Sequence, residues 1–153
     1  EMTKNACKTG KIILNIGDPI EYIEFAPDAL EIIFDNIVSN ACCHGFKDSS
    51  DKHYIIKIEL KPEENNYVVI ISNNGDAIHS QIKPNEVFVY GKTSKMGKGS
   101  HEREAHFGLG GYEIQKLMRE FGGDAEFISD PESEFPVSYK LTFYITNIEN
   151  VEL

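Results

Sequence analysis

The chain is expected to form a single α+β domain. Two stretches place apolar residues at helical spacing, several short runs alternate as strands do, and 153 residues suit one core and not two. Residues 1–10 are polar and read as an arm, and KIILNI at 11–16 reads as the first strand. A Gly17-Asp18-Pro19 turn leads to IEYIEF at 20–25, and two apolar-rich runs around such a turn predict a hairpin. Asp28, after Pro27, is the expected N-cap of a helix over residues 28–46. In that helix Leu30, Ile33, Phe34, Ile37, Val38 and Ala41 recur every three or four residues, the period of a buried face. HYIIKIELK at 53–61 and YVVIIS at 67–72, joined by the turn-forming PEENN, predict an antiparallel pair. Residues 91–106 lack apolar periodicity and predict a long loop. Tyr112, Ile114, Leu117, Met118 and Phe121 then mark a second amphipathic helix over 113–121, ended by Gly122-Gly123. DAEFIS and VSYKLTFYIT complete the strands, linked by DPESEFP.

Composition narrows the classes of partner. An apolar fraction of 41% with 26% charged residues is ordinary for a globular protein. A formal net charge of −10 opposes general affinity for nucleic acid or for an anionic membrane surface. The longest apolar runs, such as YVVII, are too short to span a bilayer, and no signal-peptide pattern opens the chain. Three cysteines, two of them adjacent at Cys42 and Cys43, suggest neither a disulfide framework nor a metal site. A reducing, cytoplasmic setting is therefore expected.

Three polar features stand apart from the core pattern. Asn36, Asn40 and His44 are spaced by four and stack on one helical stripe. Carboxamides so placed can offer oxygens to a hard cation or line a nucleotide, or can simply be solvated. SNNGDAI at 72–78 sets glycine straight after a buried strand, which permits close backbone approach to a ligand or an ordinary turn. FGLGG at 107–111 follows the long loop and is expected to open the second helix, where free N–H groups could meet phosphate. Its spacing fits neither a dinucleotide fingerprint nor a P-loop. Between the glycine clusters, Lys92, Lys95, Lys98 and Arg103 concentrate positive charge in an acidic chain. Either a phosphate partner or a solvated loop accounts for them. His101 and His106 lack the companions of a zinc site.

In this order the four elements resemble the GHKL ATP-binding family, specifically the catalytic ATP-binding domain of sensor histidine kinases. DNIVSNA is similar to its N box, NNGDAI to its first glycine box, EVFVYG with Phe88 to its F box, and HFGLGG to its last glycine box. The resemblance runs from about Ile20 to Phe143. It implies a two-layer α/β sandwich of the Bergerat type, with a mixed, mostly antiparallel sheet and helices on one face. It also implies a lid over residues 91–107, ATP as substrate and Mg²⁺ as cofactor.

Carried over by position, Asn40 resembles the Mg²⁺ ligand, and Asn36 assists at phosphate or metal. His44 lies where the family places a ring against the nucleotide. Asn73 stands where the family's Asp accepts the adenine amino proton, with Gly75, Ala77 and Ile78 completing that turn. Cys43 replaces a frequent lysine, and Ala77 a second glycine. Phe88, Tyr90, Gly91, Lys92, Thr93, Ser94 and Lys95 are similar to the F box and the start of the lid. His106, Phe107, Gly108, Leu109 and Gly110 are similar to the phosphate-facing turn. By this resemblance Asn36, Asn40 and Lys95 would carry catalysis. An amide at position 36 cannot take a proton from water near neutral pH, so hydrolysis is expected to be slow.

The implied reaction is γ-phosphoryl transfer to a histidine on a dimerisation domain outside this chain, feeding a response regulator. A homodimer would then form through regions beyond the sequence. NACCHGF also resembles anti-sigma-factor serine kinases, although their carboxylate is missing at position 36. Asn73 and Cys43 motivate a third option, a non-catalytic nucleotide-binding or interaction module.

Overall fold

A computed structural model of the chain describes residues 25–46, 53–78, 82–89 and 110–144 in full, and residues 10–15 and 101–109 as backbone. Among the described residues a five-stranded sheet runs in the order β1-β2-β3-β5-β4. Its strands are β1 (Gly10–Asn15), β2 (Tyr54–Pro62), β3 (Asn66–Asn73), β4 (Gly123–Ser129) and β5 (Val137–Tyr144). β2 with β3, β3 with β5, and β4 with β5 pair antiparallel, whereas β1 lies parallel to β2 with Gly10 opposite Tyr54. The expected strand at 11–16 is therefore present, shifted by a residue. Residues 16–24, which include most of the expected hairpin partner, lie outside the described residues.

Alternation along the strands decides which face carries the helices. Ile58, Ile71, Tyr139 and Phe127 form one cross-strand row, and Leu60, Val69, Leu141 and Ala125 the next. Side chains from both rows join one apolar cluster with Ile33, Ile37 and Ala41 from the first helical segment and Ile114 and Met118 from the second. This is a two-layer α+β sandwich with helices on one face, as expected. On the opposite face Ser72 and Ser138 share a hydrogen bond of 2.8 Å, and Lys57 sits 4.7 Å from the ring centroid of Phe135.

α1 spans Pro27–Asn40 and continues as a π turn over Ala41–Gly45. Its N-cap is Ala26, with Pro27 in the first turn, so the expectation that Asp28 caps the helix is corrected. Proline suits that position because its missing N–H would be unpaired there anyway, and Asp28 inside the first turn still complements the helix dipole. The buried line is Ala29, Ile33, Ile37 and Ala41, with Leu30, Phe34 and Val38 packed partly against the core.

α2 spans His101–Glu120 and differs more from expectation. Residues 101–106 are helical and not loop, and FGLGG lies inside the helix, not at its start. The unpaired N–H groups of a helix belong to its first four residues, here 101–104. Glu102, Arg103, Glu104 and Ala105 are good helix formers that carry the helix upstream of the glycines. Ile114 and Met118 are fully buried as the periodicity predicts, but Tyr112 and Phe121 are exposed at 39% and 37%. The predicted end holds: Gly122 has φ of 93°, a left-handed stop that glycine adopts without strain. Residues 90–100, the centre of the expected lid, lie outside the described residues, and among the described residues no helix is long and apolar enough to cross a membrane.

Candidate functional site

The site is built where α1, α2 and β5 meet. Asn36 donates through Nδ2 to Glu113 Oε2 on α2 at 3.1 Å. One turn further on, Asn40 donates through Nδ2 to the Tyr139 hydroxyl on β5 at 3.1 Å. With both amino groups so engaged, the oxygens face a single point. A Cβ added to Gly110 would lie 3.1 Å from Asn36 Oδ1 and 3.6 Å from Asn40 Oδ1. Of the stripe read from the sequence, Asn36 and Asn40 thus turn their oxygens toward Gly110, while His44 lies beyond them in the π turn.

Tyr139 is buried on the helix-facing side of the sheet, edge-on to Phe127 with ring centroids 5.0 Å apart and to Phe88 at 6.4 Å. Burial pushes its phenol up to about 12, against a smaller downward pull from the Asn40 hydrogen bond. The hydroxyl thus keeps its proton at neutral pH while accepting from Asn40. Neither Tyr139 nor Glu113 was singled out by sequence. A tyrosine among buried alternate positions of a strand, whose hydroxyl needs a partner, was the signal available.

The first glycine turn is fixed by a crossing of two backbones. The π turn closes with Phe46 N–H donating to Ala41 O at 2.8 Å, and Asp76 N–H donates to Gly45 O at 2.9 Å. A Cβ on Gly75 would fall 2.6 to 2.7 Å from the Gly45 backbone, so only glycine permits the approach. Asn73, almost fully buried, accepts the Gly75 N–H through Oδ1 at 3.0 Å, which leaves that oxygen one further lone pair. Asn74 acts as a strand mimic, accepting from Ile55 N–H at 2.7 Å and donating to His53 O at 2.8 Å. Ala77 and Ile78 follow the turn half-buried, and His44 is half-buried in the π turn.

The other anticipated residues divide clearly. Phe88 ends a 3-10 turn over Pro84–Phe88 and belongs to the core cluster. Gly111 lies so close to this turn that a Cβ would meet the Val87 carbonyl oxygen. His106, Phe107, Gly108 and Leu109 are helical residues of α2. Tyr90, Gly91, Lys92, Thr93, Ser94 and Lys95 lie outside the described residues. Cys43 is free and exposed, but Cys42 is disulfide-bonded, which runs against the reducing setting expected from the sequence.

Among the described residues no three His, Cys, Asp or Glu side chains cluster as a metal cage. The donor set instead fits a hard divalent cation that keeps its other places for water and phosphate, because it offers two neutral oxygens beside a residue without a side chain.

These features set a polar helical stripe beside a sheet-ending turn in a two-layer α+β fold. The family model described as "Histidine kinase-, DNA gyrase B-, and HSP90-like ATPase" matches residues 25–145, and the chain belongs to that family. Among solved structures the chain is similar to a mycobacterial sensor histidine kinase, MprB, with a TM-score of 0.67, 15% identity, and coverage of 94% of this chain and 88% of that one. The ATP-binding domain of PrrB from Mycobacterium tuberculosis matches at 0.66 and 16%, covering 95% and 88%. The histidine kinase domain of the blue-light-activated EL346 from Erythrobacter litoralis matches at 0.57 and 12%, and there the chain covers 93% of itself but 60% of the other. At these identities the likeness is one of fold. No curated protein matches.

Proposed function

We propose that this chain is the ATP-binding catalytic domain of a sensor histidine kinase and acts in two-component signalling. The observation that carries this reading is the convergence of Asn36 Oδ1 and Asn40 Oδ1 on Gly110. Asn40, assisted by Asn36, would hold Mg²⁺, which when bound neutralises phosphate charge. Asn73, with Gly75, Ala77 and Ile78, would take the adenine end, with His44 beside the nucleotide. Lys92, Thr93, Ser94 and Lys95 would cover the phosphates as a lid.

The reaction breaks the bond between the γ-phosphorus and the β,γ-bridging oxygen. It forms a phosphorus–nitrogen bond on a histidine of a dimerisation domain outside this chain, ADP leaves, and a response regulator is the later acceptor. Water is a poor competitor because position 36 is an amide, and the Glu113 oxygen nearest to it is already occupied by Asn36 Nδ2. The setting this reading requires is the cytoplasm, where the Cys42 disulfide would be reduced. Gly108 and Gly110 reach phosphate through their N–H groups only once the preceding turns of α2 unwind, because inside a helix those groups are paired.

Titration with a fluorescent ATP analogue, with and without Mg²⁺, tests the binding step, and far-UV circular dichroism should show helix content falling on saturation. Incubation with labelled ATP and a histidine-bearing dimerisation segment tests the transfer. Acid-labile label on the segment is the expected result. Acid-stable label on a sigma-antagonist protein would favour a serine kinase, and absence of nucleotide binding would leave only an interaction module.

A further inference from the structure

From the contacts behind the two asparagines we infer that Tyr139 and Glu113 are positioning residues, which orient the carboxamides of Asn40 and Asn36 so that oxygen and not NH₂ faces Gly110. This rests on the Mg·ATP reading above and adds the groups that make the asparagines competent ligands.

A carboxamide has an acceptor end and a donor end of nearly the same shape, and rotation by half a turn exchanges them. Facing a cation, the donor end is repulsive, so an asparagine ligand needs something on its far side that prefers NH₂. The two asparagines meet that need in different ways. An ionised carboxylate only accepts, so Glu113 Oε2, 3.1 Å from Asn36 Nδ2, selects the amino end. Asn40 Nδ2 instead donates to the phenol of Tyr139 at 3.1 Å; a phenol can donate as well as accept, so Tyr139 acts by holding its oxygen at a fixed place against the amino end. That ring is held edge-on by Phe127 and Phe88, on a strand paired on both sides by β3 and β4. Asn40 is thereby tied to the sheet, and Asn36 to α2. Partners behind a metal ligand commonly fix its orientation, and losing one typically lowers metal affinity about 10- to 100-fold.

The experiment compares the affinity of a fluorescent ATP analogue in excess Mg²⁺ with its affinity in EDTA, and takes the ratio as the metal-dependent part. Tyr139→Phe keeps the ring and removes the oxygen. It should lower the ratio about tenfold while metal-free affinity stays within about twofold. Asn40→Asp supplies oxygen at both ends, so in that background Tyr139→Phe should leave the ratio within about twofold. At position 113, Glu113→Gln offers a donor as well as an acceptor and Glu113→Leu offers neither, so both should lower the ratio, Glu113→Leu the more.

Should Tyr139→Phe fail to fold by circular dichroism, the two Glu113 variants decide the matter alone. Equal losses with and without Mg²⁺, or an effect of Tyr139→Phe that is the same in the unsubstituted chain and in the Asn40→Asp background, would mean a merely structural role and overturn the inference. Absence of any Mg²⁺ enhancement in the unsubstituted chain would overturn the Mg·ATP reading itself, a result distinct from an enhancement that persists in Tyr139→Phe.

Discussion

The two glycine stretches beside the site look alike in sequence and are used in different ways. At Gly75 the absent side chain lets two backbones cross, Gly45 of the π turn over the turn after β3. At Gly110 and Gly111 it lets a continuous helix approach its neighbours, the asparagine pair on one side and the Val87 carbonyl on the other. Glycine marks a place where space is needed. Whether that space serves a turn or a packed helix depends on the neighbours, and the stretch before FGLGG, with its good helix formers, decides for helix.

That contrast predicts how an added methyl group acts at each position. Gly111→Ala should be the most damaging, because the new Cβ overlaps a backbone carbonyl that cannot rotate away. A loss of about 3 kcal/mol is expected, read by urea denaturation. Of similar size is a pH effect at the other side of the site. The phenol of Tyr139 is raised from 10.0 to about 12 on folding, so above pH 10 the unfolded chain loses that proton first. The contribution is fully present below pH 10 and is lost as pH rises to about 12. Two pKa units amount to roughly 2.7 kcal/mol, and the loss should be missing from the stability profile of Tyr139→Phe and present in its difference from the unsubstituted chain.

Gly75→Ala comes next, at about 2 kcal/mol, because Gly45 must retreat and its bond from Asp76 N–H lengthens. Gly110→Ala should be the mildest for stability. The new methyl meets the end of the Asn36 side chain, and a gain of about 1 kcal/mol in helix propensity offsets the contact. A net change within about 0.5 kcal/mol in thermal unfolding, together with loss of nucleotide binding, would separate a site glycine from a packing glycine. Equal destabilisation at Gly110 and Gly111 would erase the distinction.

The sequence was most readable where a segment's own pattern decides its structure. The buried line of α1 follows from the spacing of Ile33, Ile37 and Ala41, and β5 from the strict alternation of Val137, Tyr139, Leu141 and Phe143. The left-handed stop at Gly122 is equally local. What could not be read depends on partners remote in the chain. The hydrogen bonds from Asn36 and Asn40 reach across 77 and 99 residues, so Glu113 and Tyr139 enter the site through the packing of α2 and the register of β5. The π turn brings Gly45 against Gly75, a contact invisible within NACCHGF. β1 was recognisable as a strand, but its parallel pairing with β2 depends on which sheet edge it joins.

The central claim is that the Asn40 oxygen is a ligand for the cation that accompanies the nucleotide. Isothermal titration of ATP into the unsubstituted chain and into Asn40→Ala, each in Mg²⁺ and in EDTA, tests it most directly. Mg²⁺ should strengthen binding in the former, by a factor that falls about tenfold or more in the latter, with metal-free binding similar in both. The same Mg²⁺ enhancement in both proteins would contradict the account.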